Sequence, residues 1–251
     1  DSAVVRIKVN TQSGQAAVAS GTENAGAFEQ KFAAQPFFAT GNWDVSSSNG
    51  VAIYAPKGTS AEGSKRAAEM SAIVAEARNF AASYLGNAPD MPLRIVAVRR
   101  GAGYSSAGTI LVDESVFRRS KVDSLSAMNL AEAAIRTWIG VSVAAAGDGH
   151  GIIREGLTRF IATEFIESKF GKEIADIERL RQRTAYSAVS KRDAPMSRTS
   201  PLDDFYFAEV ANKGAMAWRL VAKSVGKAEF IRILKANAQD GDLTVTELRN
   251  A

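Results

Sequence analysis

Glu132 and Arg136 stand four residues apart with Ala133 beside the first, and Glu155 follows Arg136 after 18 intervening residues. A four-residue step on a helix puts two side chains on one face, one turn apart. Filled by two imidazoles, with a glutamate after the first, that step binds zinc and activates water, and a third ligand arrives from a second helix. Here the step holds a carboxylate and a guanidinium instead. Arginine has no lone pair to give a metal, and Ala133 offers no proton acceptor. A zinc held by Glu155, even with Glu132, would be weak. His150, the single histidine of the chain, lies in a glycine-rich connector five residues before Glu155. It would complete a Glu132, Glu155 and His150 metal cluster, but one imidazole with two carboxylates suits zinc poorly. A lone loop histidine is expected at the surface.

Holding these residues in place requires a helix through 131–136 and another from about 154. Beyond Ser124 the chain reads as nearly all helical, broken by a polar loop from Ser187 to about Asp204. Upstream, residues 60–85 have helical periodicity, with Ala67, Ala68, Met70, Ile73, Val74, Ala77, Phe80 and Ala81 on one broad face and Gly86 as a stop. Strands are expected at 4–9, 51–55, 93–98 and 109–112, with turn signals at Ser13-Gly14 and Asn49-Gly50. The texture changes near residue 57, from strands rich in Gly, Ser, Thr, Ala and Phe to the first long helix.

At 251 residues and 46% apolar content the chain has enough material for one large or two modest domains. A net charge of +4, with Lys and Arg spread along the sequence, describes a solvated surface and not a nucleic-acid stripe. The run from Glu178 to Arg183 alternates in charge and is expected on a solvated helix face. Without cysteine there is no disulfide framework or thiolate metal site. No apolar run approaches the ~20 residues of a membrane helix. Gly101-Ala102-Gly103 lacks the lysine and helix of a phosphate loop, and Ser105 and Ser106 have no histidine partner for a nucleophilic triad. The chain opens at Asp1 without a signal-peptide pattern. An alanine-rich, cysteine-free sequence fits a bacterial extracytoplasmic origin.

The stretch Ala131-Glu132-Ala133-Ala134-Ile135-Arg136-Thr137-Trp138-Ile139-Gly140, followed by Arg154-Glu155-Gly156, resembles the zinc-helix pair of gluzincin metallopeptidases of the alanyl-aminopeptidase and leukotriene-A hydrolase type. Residues 37–43 and 50–56 are similar to the last strands of that family's β-domain, and 84–86 and 93–98 to the helix end and strand that follow. Ala102-Gly103-Tyr104-Ser105-Ser106 aligns with the family's amine-recognising edge strand, and Ala211-Asn212-Lys213-Gly214 with the segment that carries its intermediate-stabilising tyrosine. The resemblance implies an α+β fold: a thermolysin-like (gluzincin), mostly helical peptidase domain with a small mixed sheet, preceded by a partial β-domain. The boundaries it implies are 1–57 and 58–251, with the chain starting partway into the β-domain and stopping in or near the end of the peptidase domain.

The resemblance also implies a degenerate site. The places of the first histidine, catalytic glutamate, second histidine, amine-binding glutamate and tyrosine are held by Glu132, Ala133, Arg136, Ser105 and Ala211. Glu155 matches, as do Trp138, Gly140, Gly156, Lys213 and Gly214. The function implied is that of a pseudopeptidase: an aminopeptidase-like module without zinc or other cofactor, serving as a peptide- or protein-binding module or as a scaffold. It would bind a peptide or protein segment in its cleft through Glu155, Arg136, Glu132, Ser105 and Tyr104, with an extended chain adding along the 109–112 strand. The alternative is a zinc-dependent aminopeptidase or metallohydrolase with a non-standard site built from Glu132, Glu155 and His150. In the family geometry Glu155 faces the metal, so Arg136 is expected to replace that cation and pair with Glu155 and Glu132. Tyr186 and Tyr206, near the lost tyrosine, are expected to pack and not to replace it.

Overall fold

The computed structural model describes residues 4–251 apart from Ala33, Gly101 and Asp193; Asp1 and Gly101, both singled out above, lie outside the described residues. The chain divides into two compact units, residues 1–76 with 89–137, and residues 77–88 with 138–251. Helix α1 (Ala61–Leu85) has its first part assigned to one unit and its last turns to the other. The expected face of α1 is buried, except that Ala68 is exposed and Phe80 half-buried.

The first unit is built from β-strands. β1 (Val5–Ile7), β2 (Ala16–Ala19), β3 (Thr22–Asn24), β4 (Ala27–Gln30) and β5 (Phe38–Gly41) form two small antiparallel sheets, ordered β1-β4-β3 and β2-β5. A larger sheet combines β6 (Trp43–Ser48), β7 (Val51–Pro56), β8 (Leu93–Val98), β9 (Ser105–Ser106) and β10 (Thr109–Asp113) in the order β6-β7-β8-β10-β9. Its three inner strands run parallel and its two outer strands antiparallel to their neighbours. Side chains alternate across such a sheet, and the register uses both faces. Ile53, Ile95 and Ile110 line up across the parallel strands, all buried. One residue on, Tyr54, Val96 and Leu111 form the opposite row, which packs with Val18 and Trp43. The Trp43 indole N–H donates to the Ala97 carbonyl at 2.8 Å. Buried Arg94 of β8 donates to the Gly21 carbonyl at 2.6 Å and lies over the Phe28 ring, tying the small sheets to the large one.

The strand at 109–112 is not an edge, contrary to the expectation for peptide addition. β9 pairs with its outer side through Ser105 and Ser106, and Leu111 exchanges backbone hydrogen bonds with Gly103 and Tyr104. The reason is the tight Ala107-Gly108 turn, both residues at positive φ, where a side chain on Gly108 would collide with the Pro92 carbonyl. The unit closes with α2 (Ser124–Ile135), whose first turn is capped by Asp123 accepting from the Ser126 N–H at 2.7 Å.

The second unit is mainly helical: α3 (Thr158–Phe170), α4 (Lys172–Ser187), α5 (Gly214–Val225), α6 (Lys227–Ala238) and α7 (Val245–Asn250). The nearly all-helical expectation needs one correction. Strands β11 (Ala144–Ala146) and β12 (Asp242–Thr244) form a parallel pair, so long-range pairing overrides the helix propensity of three alanines. Its core includes a run of rings, from Phe80 and Tyr84 through Phe160 to Phe230 and Trp218. The charge run on α4 is also corrected. Glu178, Arg179 and Gln182 are buried: α4 turns Arg179 toward Glu164 and Glu167 of α3 and Gln182 toward the Thr163 hydroxyl, while Glu178 pairs with Arg181 on its own helix. Among the described residues no helix is long and apolar enough to cross a membrane.

Candidate functional site

The last turn of α2 carries the four-residue step. Glu132 and Ala133 are buried; Arg136 caps the helix, its N–H bonded to the Glu132 carbonyl at 3.0 Å. Its guanidinium Nη2 lies 3.7 Å from the Glu132 carboxylate, with the Arg136 side chain 25% exposed and that of Glu132 6%. This is an ion pair folded along the helix axis, the geometry that the spacing dictates. The part of the expectation that joins Arg136 to Glu132 is therefore seen.

A cavity of about 330 Å³ in the first unit gathers four of the positions that the resemblance assigns to the site. Ser105 of β9 and Glu132, Ala133 and Arg136 of α2 all line it, with Met70, Ile110 and Leu130 as apolar wall and Asn129 as a further polar group. Tyr104 is not on that wall; it is exposed and packs edge-on against Phe37 at 6.1 Å between ring centres. Asp113 and Arg119 also border the cavity, and no spacing in the sequence pointed to them. The Asp113 carboxylate accepts from the Ser115 N–H at 2.8 Å. The Ser115 hydroxyl and then that N–H hold its pKa below the ordinary aspartate value.

Glu155, Ala211 and His150 belong to the second unit. Glu155 sits in a π-helical segment, Ile152–Leu157, buried, with the Arg154 Nε 3.5 Å from its carboxylate. Ala211 is buried in a second π-helical segment, Phe207–Lys213. The two segments cross at glycines. A β-carbon on Gly156 would fall 2.7 Å from the Val210 carbonyl oxygen and 3.0 Å from the Gly214 backbone. Such π segments recur at functional sites, and sequence periodicity did not disclose either one. His150 is exposed. Tyr206 is buried with its ring against Phe207 and its hydroxyl near Gly151, and Tyr186 lies under the Lys213 ammonium at 5.2 Å. Both tyrosines pack, as expected.

The donors present do not fit zinc. Arg136 has no lone pair, Ala133 has no donor atom, and the Glu132 carboxylate faces a guanidinium. Among the described residues no three His, Cys, Asp or Glu side chains come together as a metal site.

No family model and no curated protein matches the sequence. Solved structures do match. The M1 zinc metallopeptidase of Deinococcus radiodurans superposes with a TM-score of 0.67 at 16% identity, over 98% of this chain and 59% of that one. A variant of that peptidase bound to a Tyr-Ser-Ala substrate gives a TM-score of 0.69 at 16% identity and the same coverage. Leukotriene A4 hydrolase from Saccharomyces cerevisiae gives 0.74 at 15% identity, over 98% of this chain and 42% of that one. The fold is that of the M1 aminopeptidases, a mixed β region followed by a helical part, and at this identity the likeness concerns fold alone. The chain spans between two fifths and three fifths of the length of these structures.

Proposed function

We propose that this chain is a catalytically degenerate, aminopeptidase-like module that binds a peptide or protein segment without zinc or another cofactor. The observation that carries the reading is the Glu132–Arg136 ion pair, with Ala133 between, at the positions where the resemblance requires two histidines and a general base. A guanidinium there supplies fixed positive charge but no Lewis acid, and nothing at position 133 takes a proton from water. The cavity keeps the means to hold an extended chain. β9 is the outer strand of the sheet, and its Ser105 lines the same cavity as Glu132 and Arg136. A peptide strand added beside β9 would find backbone partners at that edge and Arg136 as an anchor for a carbonyl or carboxylate. Tyr104, beside Ser105 in the same unit and outside the cavity wall, completes the proposed binding residues there. Residues 1–57 are the end of a β-domain in this reading and 58–251 the peptidase-type domain.

The first test is the metal content of the purified chain, prepared without chelator or affinity tag. Zinc far below one per chain, together with no release of a fluorogenic amine from aminoacyl substrates, is the expected result. Zinc at one per chain overturns the reading. It favours a zinc-dependent hydrolase with improvised ligands, for which Glu132, Glu155 and His150 are the residues to substitute.

A further inference from the structure

The second unit contains a cavity unrelated to the peptide site, and its charges do not balance. It measures about 470 Å³ and lies among α3, α4 and α5, within the size range of small-molecule sites. Its apolar side is formed by Phe160, Ala215, Met216 and Leu220; the Leu220 side chain stands in the open, 69% exposed. Its polar side carries three arginines, Arg179, Arg183 and Arg219, and two carboxylates, Glu164 and Asp176.

The carboxylates are already engaged. The two oxygens of Glu164 face Arg179 at 3.1 Å and Lys227 at 2.7 Å. Asp176 pairs with Arg179 at 2.9 Å and with Lys172, and Glu167, just outside the cavity, pairs with Arg179 as well. Three acids are thus matched by three bases, Arg179, Lys172 and Lys227, in a half-buried network. Arg183 and Arg219 remain. Neither has a hydrogen-bond or ion-pair partner among the described residues, and both border the same cavity from different helices, α4 and α5. Two uncommitted guanidiniums that border one cavity with an apolar wall suit an anion attached to an apolar body, because each offers a planar pair of donors to a carboxylate or phosphate.

We propose that this cavity binds a small organic anion, its acidic group held by Arg183 and Arg219 and its hydrocarbon part laid against Phe160, Met216 and Leu220. Phosphate and carboxylate share the required chemistry; the carboxylate is the probe of choice because its uncharged amide has the same shape. The proposal rests on no part of the peptide-binding reading, since it uses other residues in the other unit.

The experiment is calorimetric titration of the intact chain with phenylbutyrate and with phenylbutyramide. Three proteins are compared: the native chain, a double variant Arg183→Gln with Arg219→Gln, and a control, Lys8→Gln with Lys31→Gln, that loses the same charge at exposed positions of the first unit. Because Arg183 and Arg219 are exposed, their replacement leaves the fold intact, which circular dichroism checks. The expected result is binding of the acid by the native chain and the control, weakened about tenfold or more in the arginine double variant and for the amide. Equal affinity for acid and amide, equal loss in the control, or no binding of phenylbutyrate at millimolar concentration overturns the proposal.

Discussion

The last turn of α2 and the crossing of the two π segments answer differently to the pattern that they resemble. On α2, in the reading proposed above, positions 132, 133 and 136 would depart from it, and the helix folds the two charges of Glu132 and Arg136 together at 3.7 Å. At the crossing, the same reading has Gly156 and Gly214 in keeping with the pattern, and the structure gives a reason for a glycine in the backbone itself, with a hypothetical β-carbon on Gly156 2.7 Å from the Val210 carbonyl oxygen. Chemistry at the end of a side chain is replaceable wherever the substitute can pair its charge. Contact between two main chains leaves no such latitude, because no rotamer can relieve it.

The largest effect is expected where that latitude is smallest. Gly156→Ala forces the π segments apart and should cost about 3 kcal/mol, read as a lower urea midpoint with an unchanged slope. A variant as stable as the native chain would break the contrast between the two regions. A smaller loss, about 1–2 kcal/mol, is expected for Arg136→Leu, which takes the guanidinium from beside the buried Glu132 carboxylate at a partly exposed position. The double variant Glu132→Leu with Arg136→Leu should recover most of that loss, since an apolar pair leaves no charge to neutralise. Strict additivity in the cycle would show that the two side chains do not depend on each other.

The smallest effect sits at the cavity rim. The carboxyl of Asp113 titrates below the ordinary aspartate range because the Ser115 hydroxyl and N–H favour its charged form. Its folded pKa lies below its unfolded one, so its contribution is present at neutral pH and disappears as acid titrates it through the folded pKa. Stability measured from ~pH 5 down to ~pH 2 should fall less steeply in Asp113→Asn than in the native chain. Parallel curves would remove Asp113 from the account.

Much of the frame was legible in the sequence. Residues 60–85 announce their helix by apolar periodicity and a glycine stop, and α1 runs from Ala61 to Leu85. The strand at 93–98 coincides with β8, and the four-residue step did place Glu132 beside Arg136. What stayed hidden depends on distant partners or on small changes in helical pitch. Three alanines become β11 because β12, nearly a hundred residues later, offers a parallel partner. Arg179 reads as a surface charge until α3 supplies Glu164 and Glu167. The edge of the sheet passed from β10 to β9 through a turn too short to register as an element.

The π segments make local chain length a structural variable in its own right. Each residue advances a helix by about 100°, and a π turn carries more residues than an α turn. Deleting one residue between Ile152 and Leu157 would barely change the composition, and because the π turn holds one residue more than an α turn, the backbone could relax to α with the following side chains kept nearly in phase, whereas the same deletion inside α3 would swing them about 100° around the axis. A point substitution in this segment tests a contact; a single-residue deletion tests the bulge itself, with the phase of the helix that follows left in place.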